Sequence, residues 1–276
     1  MQVIHKFLKK SIMYRKKKLY VINNIDNDKL NEFSEFYLAS ITKLFTYFTI
    51  LLLQQNKLLN INDKISIYIN SKYNDLSNIT ILDLMNHQGK IKRDFDEKKL
   101  ELKLYTTATE VMKLFINENI IDNNASYSNI GYILLGVIIE KITKLSYYEA
   151  VKLYILEPLK MKNTGIGKTN ISIYNNNKKI NKKSITRIIG GVSCGSLYSC
   201  VNDLIKFGKN IFTLLDKKSI DIIIKSYIYH NFKNKQYISH NGSYIGTLTN
   251  ILLEFDDNWK FKDIEITLET NTNYDY

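Results

Sequence analysis

The chain has 276 residues, 45% of them hydrophobic, which supplies a sizeable core and excludes general disorder. Its formal charge of +12 comes from lysines scattered along the chain, densest in the short runs 15–18, 178–183 and 233–235. No zinc-ligand spacing or aromatic RNA-binding signature accompanies them, so the charge reads as solvated surface and no nucleic-acid partner is expected.

Residues 1–18 are basic and read as a helix. Charge at His5, Lys6, Lys9 and Lys10 without an uninterrupted apolar stretch is not a secretory signal, so a cytoplasmic location is the default expectation. Residues 19–25 read as a short strand followed by an Asn/Asp turn, and residues 36–39 as a second extended piece. A helix follows from Ser40 to about Asn56. Residues 36–53 carry one charge and invite comparison with a membrane anchor. Against that reading, Lys43 costs roughly 2.5–3.5 kcal/mol near a bilayer centre. The hydroxyls of Ser40, Thr42, Thr46 and Thr49 dilute the stretch further, so a buried core helix is expected and no stable membrane span.

Thr80 and Asp83 have capping-box character and open a short helix to about His87; Thr107 and Glu110 do the same for a helix to about Glu118. Residues 130–143 form a second strongly apolar helix. Gly131 and Gly136 within it each cost about 1 kcal/mol relative to alanine, which implies close packing against a neighbour. A helix over 147–156 stops at Glu157-Pro158. Residues 168–185 read as a polar loop and 190–195 as a flexible crossing. Ser199 is placed to cap a helix to about Phe212. Strands follow at 246–255 and 263–269, with a turn at 256–258. Helices in the middle and strands at the end predict an α+β fold, a helical region beside an antiparallel sheet, as one domain over residues 1–276.

Cys194 and Cys200 are too few for a disulfide framework and read as unpaired thiols. His5, His87, His230 and His240 share no close ligand spacing, so no metal or other cofactor is expected.

The chemistry rests on three short motifs. Ser40-x-x-Lys43 heads the apolar helix, and no other serine in the chain has a lysine three residues on. A serine needs a base beside it, and residues three apart share a helix face. In a lysine-rich chain this match alone is expected by chance. Tyr127-Ser-Asn129 precedes the second apolar helix. A phenol near an ammonium sheds its proton more easily and can shuttle it, although with 20 tyrosines a packing role competes. His240-Asn-Gly242-Ser243 opens the C-terminal strands, where a glycine lets a ligand approach the backbone.

The order Ser-x-x-Lys, Tyr-x-Asn, basic-x-Gly, with 87 residues between Ser40 and Tyr127, resembles the class C β-lactamase and penicillin-binding-protein-like serine hydrolases, a β-lactamase-related family. Residues 58–65, 79–87, 126–140, 157–164 and 195–204 are similar to the family's connecting segments, so the resemblance covers about residues 36–270. It implies a β-lactamase/transpeptidase-like fold. It also implies that Ser40 is the acylated nucleophile, Lys43 its activating amine and Tyr127 the partner base. Asn129 is then the substrate-orienting amide and His240 stands where lysine or histidine is usual. The N–H groups of Ser40 and Ser243, beside Gly242, form the oxyanion hole. The implied activity is hydrolysis of an amide, ester or β-lactam carbonyl in a small-molecule or peptide substrate, of β-lactamase, carboxypeptidase or esterase type. An inactive binding or sensing domain of the same fold is the alternative. A histidine at 240 points to pH sensitivity near neutrality. Relative to the family, the N-terminal hairpin looks partial, the C-terminal end short, and the loop at 168–185 abbreviated, which would leave the cleft more open. The oligomeric state is left open.

Overall fold

The computed structural model describes residues 8–271 apart from Tyr73 and Asn234. Of the basic segment 1–18, expected to be helical, residues 1–7 lie outside the described residues, and the rest instead forms β1 (Lys10–Arg15), turned through Lys16 and Lys17 at positive φ into β2 (Lys18–Asn23). The hairpin that looked partial from sequence is two six-residue strands. Burial explains the correction: Ile12 is fully buried while Met13 beside it is 43% exposed, the alternation of a strand. The partner that enforces it lies about 250 residues away in sequence, where Ile12 pairs with Leu268.

The chain then runs through β3 (Phe36–Tyr37) and a 3-10 turn (Ala39–Ile41) into α1 (Thr42–Gln55). Every residue of α1 from Thr42 to Leu53 is buried, so the stretch weighed as a membrane anchor is the protein's central core helix. Among the described residues no helix is long and apolar enough to cross a membrane. Next come α2 (Ile81–Met85), with the expected Thr80–Asp83 capping box, and α3 (Ala108–Met112), which gives way to turns well before Glu118. The second apolar helix is α4 (Asn129–Thr143). Its glycine packs as expected: a Cβ on Gly136 would fall 2.2 Å from Ser193 Oγ and 2.8 Å from Ala108 Cβ. The helix after it, α5 (Tyr147–Val151), continues as a π-turn over Lys152–Leu156.

Residues 168–185, read as loop, contain a small hairpin, β4 (Tyr174–Asn175) with β5 (Lys178–Lys179), and the start of a helix, α6 (Lys182–Gly190). Asn181 caps α6, which buries Thr186, Ile188 and Ile189. The Lys/Asn-rich composition hid a short apolar stripe that only becomes stable once packed. After β6 (Tyr198–Ser199), α7 (Val201–Asn210) starts from Cys200. Ser199 does not cap it; its hydroxyl meets Thr164 Oγ1 at 2.7 Å inside the protein. Then follow α8 (Lys217–Ile223), β7 (Tyr229–Phe232), β8 (Lys235–Tyr244), β9 (Thr247–Phe255) and β10 (Phe261–Thr270).

The main sheet is antiparallel, in the order β2-β1-β10-β9-β8-β7. Ile264, Ile266 and Leu268 on β10 and Ile251, Leu253 and Phe255 on β9 point inward in strict alternation. Helix α7 lies on that face, with Gly208 against Leu253 and Ile264. This is the α+β architecture expected, and it sets the N-terminus of α1 against the inner strand β8.

Candidate active site

The segment before α1 is held at two points. Leu38 N donates to the Leu197 carbonyl at 2.8 Å, and Thr249 Oγ1 on β9 donates to the Leu38 carbonyl at 2.9 Å. Ala39 follows with φ of +47°, a left-handed conformation that costs an L residue roughly 1–2 kcal/mol. Such strain is characteristic of functional turns. Ser40 therefore sits in the 3-10 turn rather than in the α-helix proper, half-buried at the mouth of α1.

Lys43, one turn on, is completely buried. Its ammonium donates to Ser40 Oγ at 3.0 Å, to Asn129 Oδ1 at 2.7 Å and to the Cys194 carbonyl at 2.8 Å. Its three hydrogens are thereby used on uncharged acceptors. It also lies 5.0 Å from the centre of the Tyr127 ring and 5.6 Å from that of Tyr132, within cation–π reach.

Tyr127 and Asn129 flank the start of α4. Ser128 caps the helix, accepting from Gly131 N at 2.8 Å while its hydroxyl donates to the Lys92 carbonyl at 2.7 Å. Asn129 is thereby the first helical residue. Since its Oδ1 faces Lys43, its Nδ2 donates outward, to Asp94 Oδ1 at 2.6 Å. One amide links a buried ammonium to a carboxylate in the cleft wall.

The third motif arrives on β8, with His240 opposite Ile251 and Gly242 opposite Thr249. A Cβ at Gly242 would lie 2.3 Å from the Leu38 carbonyl oxygen and 3.1 Å from Ser40 N, so a glycine is what allows the strand to come this close to the serine. His240 Nδ1 lies 2.7 Å from the Asn241 carbonyl and must carry the hydrogen; Nε2 then accepts from the Tyr227 hydroxyl at 3.1 Å. Tyr227 in turn meets Tyr132, whose hydroxyl lies 2.9 Å from the Met85 carbonyl. Burial first, and then the Lys43 charge, push the His240 imidazole down to about 4. The ring is neutral at pH 7, so the expected sensitivity to pH near neutrality does not arise from it.

Ser40, Tyr127, Asn129, His240, Gly242 and Ser243 line one cleft of about 1080 Å³, with Lys43 behind them. Residues some 200 apart in sequence share this wall. The cleft lining also holds groups that no sequence motif marked: Arg93, Asp94, Glu97, Arg187 and Tyr244. Burial raises the Glu97 carboxyl, offset in part by the hydrogen bond it accepts from the Tyr244 hydroxyl. Arg187 comes from α6, beyond the loop at 168–185. Tyr227, in the turn after α8, carried no local signal either, being one tyrosine among 20.

A buried helix with a serine at its head and a lysine one turn below, facing an antiparallel sheet across a cleft, defines the β-lactamase/transpeptidase-like fold. Residues 14–223 match the Beta-lactamase family, and the chain belongs to it. Protein flp of Staphylococcus aureus (strain MW2) is 31% identical over 149 residues, 51% of this chain and 30% of that protein. Penicillin-binding protein 4* of Bacillus subtilis (strain 168) is 30% identical over 145 residues, 48% of this chain and 31% of its own. These matches therefore span about a third of the length of the curated relatives. Among solved structures, the D-amino acid amidase of Ochrobactrum anthropi SV3 in complex with D-phenylalanine superposes with a TM-score of 0.75 at 17% identity, covering 98% of this chain and 88% of the amidase.

Proposed function

We propose that the chain is a serine hydrolase working through an acyl-enzyme at Ser40. The observation that carries the reading is the contact of the buried Lys43 ammonium with Ser40 Oγ at 3.0 Å. In the proposed cycle the Lys43 ammonium holds the Ser40 hydroxyl and lies over the Tyr127 ring. Tyr127 then takes the proton of Ser40 as the hydroxyl oxygen attacks a carbonyl carbon, and returns it to the departing amine or alcohol. The backbone N–H groups of Ser40 and Ser243 receive the oxyanion, and Asn129 and His240 line the groove that holds the substrate. Water, its proton taken by the Tyr127 phenolate and passed to Ser40 Oγ as that oxygen departs, then releases the acyl group. Substrates are amides, esters or β-lactams of the D,D-peptidase, esterase or lactamase type. The amidase and penicillin-binding-protein names of its structural neighbour and relative support that range.

Intact-mass analysis after incubation with benzylpenicillin and, separately, a fluorophosphonate tests the reading. A Ser40-dependent adduct with either reagent, absent in Ser40→Ala, is expected. Folded protein that takes neither label overturns the reading; if the same protein retains β-lactam binding after Ser40→Ala, it is a binding domain.

A further inference from the structure

His87 follows α2 and is 9% exposed. Its Nδ1 accepts the backbone N–H of Ser128 at 3.1 Å. A neutral imidazole then carries its hydrogen on Nε2, and that atom is buried without a hydrogen-bond partner among the described residues. The residue's φ is +58°. Both features are unfavourable: a buried polar group left unpaired costs about 1–3 kcal/mol, and a left-handed L residue roughly 1–2 kcal/mol. A leucine or phenylalanine would remove the unpaired Nε2–H but would leave the buried Ser128 N–H without its acceptor. Two such features at one buried residue mark a position held for a reason other than packing.

The contacts of His87 converge on Tyr127. The Ser128 N–H belongs to the peptide group that follows Tyr127, so the Nδ1 bond fixes the backbone there. The imidazole also lies against the phenol ring, with centroids 4.2 Å apart and planes tilted by 32°. Tyr132 at 5.0 Å and Tyr227 at 4.7 Å close round the same imidazole. The Tyr127 ring takes the Lys43 ammonium at 5.0 Å and the Arg93 guanidinium at 5.4 Å. Burial, then the charge of Lys43 and the neighbouring His240, hold the His87 imidazole down to about 3. Nδ1 therefore stays an acceptor throughout the neutral range.

We infer that His87 is a positioning residue for Tyr127: it clamps the phenol against Lys43 through the Ser128 N–H bond and the ring contact. The inference rests on the reading that Tyr127 moves the Ser40 proton. It explains why the residue keeps an acceptor nitrogen on one side and tolerates an unpaired one on the other.

A double-mutant cycle tests it, read as the rate of Ser40 labelling by a fluorophosphonate and as kcat and KM on a p-nitrophenyl ester. The variants are His87→Phe, Tyr127→Phe and the pair, each checked for folding by circular dichroism. If His87→Phe does not fold, His87→Asn replaces it, because asparagine accepts the left-handed backbone. The expected result is a loss of about tenfold in kcat with KM little changed in the wild-type background, and less than about twofold in the Tyr127→Phe background, since residues that act through one another are non-additive. An equal fold-loss in both backgrounds, or none in either, overturns the inference. Absence of labelling in the wild type would instead overturn the hydrolase reading itself.

Discussion

The Lys43 ammonium meets the Ser40 hydroxyl from a site with no solvent exposure, and among the described residues it forms no ion pair. Its link to negative charge is indirect, through the Asn129 amide to Asp94. A buried cation without a direct counter-ion is costly, in keeping with the proposed role of Lys43 beside Ser40.

Replacing Lys43 by methionine is accordingly expected to separate activity from stability. Ser40 labelling should slow by about a thousandfold, the scale of a lost acid–base partner. The melting temperature should stay level or rise, because an apolar chain of similar volume replaces a buried charge. Labelling rates and thermal melts of the two proteins decide it. A melting temperature several degrees lower would show that Lys43 chiefly holds the structure together.

Gly242→Ala should damage the same site from the sheet side. The new methyl would be driven into the Leu38 carbonyl and Thr249 Oγ1, both at 2.3 Å, pushing β8 away from Ser40. Overpacking of this kind costs typically about 1–3 kcal/mol. A displaced oxyanion donor lowers rate by about a hundredfold or more. Urea unfolding and ester hydrolysis measure the two losses; wild-type turnover in the variant would rule out this account of the glycine.

Glu140, on α4, is buried, and its carboxylate accepts from Ala108 N at 2.6 Å, Thr109 N at 3.0 Å, Thr109 Oγ1 at 2.6 Å and Tyr147 N at 3.1 Å. One side chain thus satisfies amides at the starts of α3 and α5 that have no partner within their helices. Glu140→Ala leaves these donors unpaired and is expected to cost about 3 kcal/mol in urea unfolding. Because Glu140 lies outside the cleft lining, Ser40 labelling of the folded variant should hardly change. A cost below about 1 kcal/mol would mean that water replaces the carboxylate.

Stability should fall with acid. The folded imidazoles of His240 and His87 lie near 4 and 3, against an ordinary 6.5. As pH drops below 6.5 the unfolded chain takes up protons that the folded chain refuses, and each group removes about 1.4 kcal/mol per pH unit across its window. At Asp26, burial acts to raise the carboxyl, but hydrogen bonds from Lys10 and Asn23 bring it to about 2, from 3.8. Its contribution, the link to buried Lys10 at 2.8 Å, is present above 3.8 and lost as pH falls toward 2. Urea midpoints between pH 7 and pH 4 follow the histidines; a flat profile there would contradict their burial.

The elements legible in sequence were those whose signal is local and strong. The apolar runs of α1 and α4 announced themselves, as did the Thr80–Asp83 cap and the alternating strands β9 and β10. Local signals also misled. The strand read at 19–25 is β2, but the basic β1 beside it shows no strand pattern until β10 supplies the other half of its ladder, and α6 is too short and too lysine-rich to show a stripe. Ser199 has the chemistry of a cap but spends its hydroxyl on Thr164.

Residue types in order along the chain determined which groups are available for chemistry: Ser40 with Lys43, Tyr127 with Asn129, and His240 with Gly242, each pair held by the short-range geometry of a turn, a helix start or a strand. Only the tertiary structure decided how they meet and what stands opposite them. It placed Lys43 where no water reaches it, stacked His87 on Tyr127, and tied Asn129 to Asp94. It brought Tyr227 against His240 and Arg187 into the wall of the cleft. Distances of this kind depend on packing between segments well separated along the chain, some of them by about 200 residues, and the pKa of a buried imidazole depends on all the dielectric and charge around it. Neither is a property of any window of the chain.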